Sequence, residues 1–188
     1  IAFVPGVELT TQHEGVEVHL LGYGFDPKNA ELLERLRGLR GARPSDTLTV
    51  HDTLRNSASG SQISTIEAIS LVHRAGGKAF LAHPLHSAPD FESLEALVIT
   101  LKGEGLDGIE ALYAGFSAED QIRLLDLAAR CGLLVSAGTD LHAVRPGEAT
   151  PAGIEMPTEL WKAFRDAVCL PNPQHIQRQK PVRRPARP

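Results

Sequence analysis

Five side chains of metal-binding type stand at or near the ends of short apolar runs in this chain: Glu8, His19, His83, Asp140 and His142. Neutral imidazoles and carboxylates suit borderline and hard divalent ions such as Zn²⁺, Mn²⁺ or Fe²⁺. Asp140 and His142 lie two residues apart, so in a loop both can point at neighbouring metals. A carboxylate such as Glu8 can bridge two ions. Two bridged ions can generate hydroxide near neutral pH and hold both oxygens of a phosphoryl displacement. Taken singly, each residue has an ordinary reading. His83 before Pro84 can be a packed or capping histidine. Asp140 can cap a turn. Glu8 can be a surface carboxylate, and His19 can face solvent beside Glu17. Their joint placement is what argues for a site.

The elements that must position them follow from spacing. Residues 16–21 begin with strict apolar–polar alternation, the pattern of a half-buried strand. His13-Glu14-Gly15 marks a turn, so residues 7–23 read as a hairpin. Leucines at 32, 33, 36 and 39 predict a helix over 29–40, and the polar, Gly- and Pro-containing stretch 41–62 reads as a loop. Ser64 to Glu67 forms a capping box, with Ile66, Ile69 and Val72 on one helical face and Gly76-Gly77 ending the helix. A buried strand is expected over 78–82, a helix over 91–102 and a strand over 107–112. A second capped helix follows over 117–130, then a strand over 133–137. A last helix over 158–168 carries Trp161, Phe164 and Val168. Helices and strands alternating with short Gly-marked links predict a parallel α/β sheet or barrel. Functional residues of such folds gather where strands end, and His83, Asp140 and His142 obey that rule.

Composition narrows the class. The chain has 188 residues, 42% of them apolar and 22% charged, an ordinary balance for a globular domain. No stretch approaches the about 18–20 apolar residues of a membrane span. Cys131 and Cys169 are too few for a disulfide framework, which points to a reducing, cytoplasmic setting. Residues 171–188 carry Arg178, Lys180, Arg183, Arg184 and Arg187 and no acid, so this +5 set against the −4 of the whole leaves −9 on residues 1–170. The expected organisation is therefore one domain over 1–170 and a flexible, basic, Pro-rich tail over 171–188.

Four segments together resemble the PHP (polymerase and histidinol phosphatase) family, in family order: Pro5-Gly6-Val7-Glu8, Val18-His19-Leu20-Leu21-Gly22-Tyr23, Ala75-Gly76-Gly77-Lys78-Ala79-Phe80-Leu81-Ala82-His83-Pro84, and Gly138-Thr139-Asp140-Leu141-His142. The wording of residues 105–110 and 131–136 is similar to the family's later strands. The resemblance implies a distorted (β/α)7 barrel holding two or three divalent ions, commonly Mn, Zn or Fe. It implies phosphoester hydrolysis by a metal-bound hydroxide. The Leu-Gly-Tyr histidine strand resembles the stand-alone branch that acts on nucleotides and short RNA. Carried over by motif, Glu8, His19, His83, Asp140 and His142 would be metal ligands, with Glu8 bridging. His86 and Arg145, close to ligand positions, would contact substrate phosphate. Tyr113, after the 107–112 strand, would stack a base or simply line the rim.

The family also begins with a His-x-His strand, which would precede Glu8. This chain opens on Ile1-Ala2-Phe3-Val4, so the expected barrel lacks its N-terminal strands. His51, in Thr49-Val50-His51-Asp52-Thr53, reads as a substitute ligand or as an ordinary loop histidine. The second expectation is a catalytically incomplete PHP module with a structural or binding role. A third is a metal-dependent hydrolase of C–N bonds, since related barrels share His and Asp ligands.

Overall fold

The computed structural model of the chain describes residues 4–40, 63–141 and 153–169. The predicted loop with His51, the candidates His142 and Arg145, and the basic tail lie outside the described residues.

Strands β1 (Gly6–His13) and β2 (Val16–Tyr23) form the expected hairpin. Glu14 and Gly15 join them at φ 49° and 83°. Two positive φ values in a two-residue link match the right-handed twist of the flanking strands. Helix α1 (Ala30–Arg40) follows, and after the undescribed stretch comes α2 (Thr65–Arg74). The chain then runs through β3 (Lys78–Leu81), a single 3₁₀ turn at Pro84–His86, α3 (Phe91–Gly103), β4 (Gly108–Tyr113), α4 (Ala118–Cys131) and β5 (Leu134–Gly138). Helix α5 (Thr158–Cys169) is the last described element.

The five strands make one sheet in the order β1-β2-β3-β4-β5. It is mixed rather than parallel as expected. β1, β2 and β3 pair antiparallel, and only β3, β4 and β5 are parallel. A two-residue link permits only an antiparallel partner for β1 and β2, and the α3 and α4 crossovers return the chain to run parallel, whereas β3 meets β2 antiparallel across the longer connection through α1 and α2.

Alternation along the strands divides the sheet into two faces. Leu9, Val18, Leu20, Ala79, Leu81, Ile109 and Ala111 belong to one contiguous core with Ile69 and Val72 of α2 and Leu124 and Leu127 of α4. Gly22 brings β2 against α2 so closely that a Cβ there would sit 2.9 Å from a Val72 methyl carbon. On the opposite face, Tyr23, Phe80 and Phe164 of α5 meet edge to face, with centroids 5.2–5.6 Å apart. Polar strand residues share that second face.

The helix ends match the expected caps in part. Ser64 accepts the Glu67 N–H at 3.1 Å, and Ser117 accepts that of Asp120 at 3.1 Å. The reciprocal half of the first box is not made: the Glu67 carboxylate accepts from Arg35 Nε at 3.0 Å instead. Ile66 is exposed; Ala68, Ile69, Leu71 and Val72 form the buried side of α2. Trp161 is also exposed, stacked on Phe164. Among the described residues no helix is long and apolar enough to cross a membrane.

Candidate metal centre

The hairpin register brings the first two candidates together. Thr10 lies opposite His19 and Glu8 opposite Leu21, so Glu8 and His19 are diagonal neighbours on one face. Glu8 sits inside β1. His19 Nδ1 donates to Glu8 Oε1 at 2.9 Å, and its Nε2 lies 3.2 Å from the Glu17 carboxylate. The third candidate arrives by a backbone bond: the Ala82 N–H donates to the His19 carbonyl at 3.0 Å as β3 ends. That places the His83 ring 4.9 Å from the His19 ring, with Nε2 3.4 Å from the same Glu8 oxygen. One ligand atom from each of Glu8, His19 and His83 falls within 4.8 Å of the others.

The electrostatics follow from this geometry. Hydrogen bonds from His19 and then His83 pull the Glu8 carboxyl down from 4.5 to about 2, against the opposing effect of burial. The bond to Glu8 holds the His19 imidazolium above its ordinary value, although burial works the other way. An ionised carboxylate therefore faces two imidazoles.

His83 is held in an unusual backbone state. Its φ is 26°, in the left-handed region that L-residues rarely adopt. The buried Glu110 carboxylate fixes it there, Oε2 accepting the His83 N–H at 2.8 Å. Burial pushes the Glu110 carboxyl above its ordinary range. The other Glu110 oxygen occupies the space over Gly138, where a Cβ would lie 2.0 Å from it. Glu110 has a supporting role that the ligand pattern in the sequence does not single out. Its signal was a lone charge in an otherwise apolar strand.

Two buried polar atoms beside the cluster have no hydrogen-bond partner, His83 Nδ1 and Thr10 Oγ1. Buried polar groups are normally satisfied, so an orphan imidazole nitrogen beside a carboxylate and a second imidazole fits a site that completes itself with a bound group. The donor set, one carboxylate oxygen and two imidazole nitrogens, suits Zn²⁺, Mn²⁺ or Fe²⁺.

The structure brings three of the five proposed ligands into one cluster. Asp140 stands just beyond the end of β5, exposed, at φ 50°. The exposed His86 has its ring 5.0 Å from that of His83. Partial burial, and then the neighbouring His83, lower its proton affinity, so it offers hydrogen bonding more readily than positive charge. His142 and Arg145 lie outside the described residues. At the start of β4, away from the cluster, Asp107 accepts from His73 at 2.6 Å, Lys78 at 2.8 Å and the Ala79 N–H at 2.9 Å, tying α2 to β3.

No family model matches the chain. It is 26% identical over 192 residues to a 5′–3′ exoribonuclease of Haemophilus influenzae, covering 76% of this chain and 70% of that protein. It is 34% identical over 105 residues to the 5′–3′ exoribonuclease Rnm of Escherichia coli, covering 52% of this chain and 36% of that one. A 3′,5′-nucleoside bisphosphate phosphatase of Chromobacterium violaceum is 34% identical over 82 residues, 44% of this chain and 28% of its own. Among solved structures, an amidohydrolase from Chromobacterium violaceum with bound sulfate and no metal superposes at a TM-score of 0.63, with 21% identity, 88% of this chain and 77% of that chain covered. A protein of Bifidobacterium adolescentis described as a metal-dependent phosphoesterase gives 0.56, with 23% identity, 87% of this chain and 75% of that chain covered. The chain thus shares an overall fold with the solved structures, while it spans little more than a third of the Escherichia coli relative's length and less of the phosphatase's.

Proposed function

We propose that this chain is a metal-dependent phosphoesterase of PHP type that hydrolyses phosphate esters of nucleotides or short RNA. One observation carries the reading: the ionised Glu8 carboxylate lies within hydrogen-bond reach of both His19 and His83, beside an orphaned buried imidazole nitrogen. The names of the three relatives, two exoribonucleases and a nucleotide phosphatase, support the substrate class. The superpositions support reading the five-stranded sheet as part of a distorted (β/α)7 barrel. The free thiols of Cys131 and Cys169 suit a cytoplasmic setting.

In this reading Glu8, His19, His83, Asp140 and His142 would hold the divalent ions, two or three of Mn, Zn or Fe. Such ions, when bound, supply Lewis-acid charge to phosphoryl oxygens and lower the pKa of water. The protein's own residues do the rest. Glu110 fixes the backbone of His83 and so aims its ring. His83 is buried and Glu8 and His19 are half-buried, which partly screens the cluster from bulk water. His86 offers a hydrogen bond to a substrate phosphate, and Arg145 a charge.

The test is phosphate release from a nucleoside 3′,5′-bisphosphate and mononucleotide release from a short 5′-phosphorylated RNA. Release should require Mn²⁺ or Zn²⁺, stop with chelator, and fall at least a hundredfold in Asp140→Ala and in His83→Ala. Hydrolysis indifferent to both chelator and substitution overturns the proposal. A second reading, a catalytically incomplete PHP module, draws on the described cluster holding one ion's worth of ligands. Metal analysis separates them: two or three tightly bound ions per chain support the enzyme, one or none the remnant.

A further inference from the structure

Three aromatic side chains adjoin the carboxylate–imidazole cluster: Tyr113 and Phe116 take no part in the phosphate chemistry above, and His86 contributes only a hydrogen bond to it. Tyr113 ends β4, with its ring 6.0 Å from that of His83. Phe116 lies three residues on, its ring 4.8 Å from Tyr113. The His86 ring touches both, edge to face, at 5.9 Å and 5.6 Å. Tyr113 and Phe116 are half-buried and His86 is exposed.

We propose that Tyr113, Phe116 and His86 form a stacking platform for the nucleobase of the substrate. The proposal rests on the phosphoesterase reading and adds the group that the enzyme recognises beyond the phosphate. Three features carry it. Rings of this size are normally covered, yet this group stands half-buried to exposed directly beside the His83 ring of the polar cluster. The rings are fixed rather than loose. Gln121 Nε2 donates to the Tyr113 carbonyl at 3.2 Å and the Phe116 carbonyl at 3.1 Å, which holds the turn that carries both rings. At Gly115, between them, a Cβ would lie 2.5 Å from the Tyr113 ring, so the turn leaves the ring room to lie over the backbone. Preorganised rings stack a base without paying the entropy of ordering them. Stacking is tolerant of base identity because every base has a π face, so the platform selects nucleotides over simple sugar phosphates without selecting a sequence.

The experiment measures binding, not turnover. Isothermal titration of the Mn²⁺-loaded chain compares AMP, ribose 5-phosphate and adenosine. AMP should bind about tenfold or more tightly than ribose 5-phosphate, which has the same phosphate and sugar and no base. Tyr113→Leu should collapse that ratio towards one, and Tyr113→Phe, which keeps the ring and loses the phenol, should retain it. Equal affinity for AMP and ribose 5-phosphate in the parent chain overturns the platform. So does a Tyr113→Leu chain whose ratio is unchanged. Adenosine separates this inference from the reading beneath it. Adenosine binding that survives chelation and is lost in Tyr113→Leu upholds the platform even if both phosphate compounds bind without regard to metal, an outcome that would sink only the metal reading.

Discussion

Glu8 is the residue on which the cluster turns, because a single carboxylate oxygen serves both histidines. Its depressed pKa and the raised pKa of His19 set a pH window for the metal-free chain. The Glu8 contribution to stability is fully present above the unfolded value of 4.5 and is lost as pH falls towards about 2. The His19 contribution is fully present below 6.5 and is lost as pH rises through its raised folded value. The difference in melting temperature between the parent and Glu8→Gln should therefore be largest between pH 4.5 and 6.5 and shrink on both sides. A difference that keeps growing towards pH 9 contradicts the assignment. Metal binding reads the same groups with the opposite sense. Below the raised His19 pKa an incoming cation must displace a proton, so titrations in buffers of different ionisation enthalpy should report about one proton released per His19 engaged, and none well above that pKa. Gly138 gives a second prediction at this scale. Gly138→Ala must push the Glu110 carboxylate away from the His83 N–H, leaving two buried polar groups unpaired. A loss of about 1–3 kcal/mol in chemical denaturation is expected, with weakened metal affinity alongside. These residues were unevenly legible. The ligand types of Glu8, His19 and His83 are visible in one dimension. Glu110 is visible only as an anomaly, because its partner is a backbone N–H that no side-chain pattern encodes.

Elements are legible in the sequence where local chemistry decides them and hidden where the rest of the molecule does. The Glu14-Gly15 turn, the Ser64 and Ser117 caps and the Gly132 terminus of α4 at φ 61° are local, and each stands where spacing placed it. Strand direction is not local. Apolar runs announce β3, β4 and β5 but not that β2 meets β3 antiparallel, which depends on how α1 and α2 return the chain. The capping box failed for a similar reason: Arg35, from a different helix, outcompetes the Ser64 backbone for the Glu67 carboxylate. The cap itself can be tested apart from the box. Ser64→Ala should destabilise the fold by about 1 kcal/mol, the usual value of an N-cap side chain, and Glu67→Ala by less, since its pair with Arg35 is solvent-exposed. Both should leave metal affinity within about twofold, because α2 packs on the sheet face opposite the cluster. Equal losses from the two substitutions would mean that the carboxylate does cap the helix in solution.

At the scale of the molecule, two faces of one sheet do different work. The face under α2 and α4 supplies stability through a continuous apolar core. The other face accepts buried polar groups, an orphaned imidazole nitrogen and a strained His83, each of which costs folding free energy. Such a division makes sense if a ligand repays the second face, and linkage states how much. A cation that binds only the folded chain stabilises it by RT ln(1 + [L]/Kd), about 2.7 kcal/mol at a hundred times Kd. Adding Mn²⁺ or Zn²⁺ to the metal-free chain should therefore raise its melting temperature by several degrees, with continued dependence on concentration above saturation. In Glu8→Gln the same addition should raise it by much less, because the oxygen shared by both histidines has lost its charge. Ser64→Ala, starting from a lower melting temperature, should show the full increment. If all three chains respond alike, the ions are binding elsewhere, and the polar face has some other use. If only Glu8→Gln fails to respond, the folding cost of this face is tied to the cation.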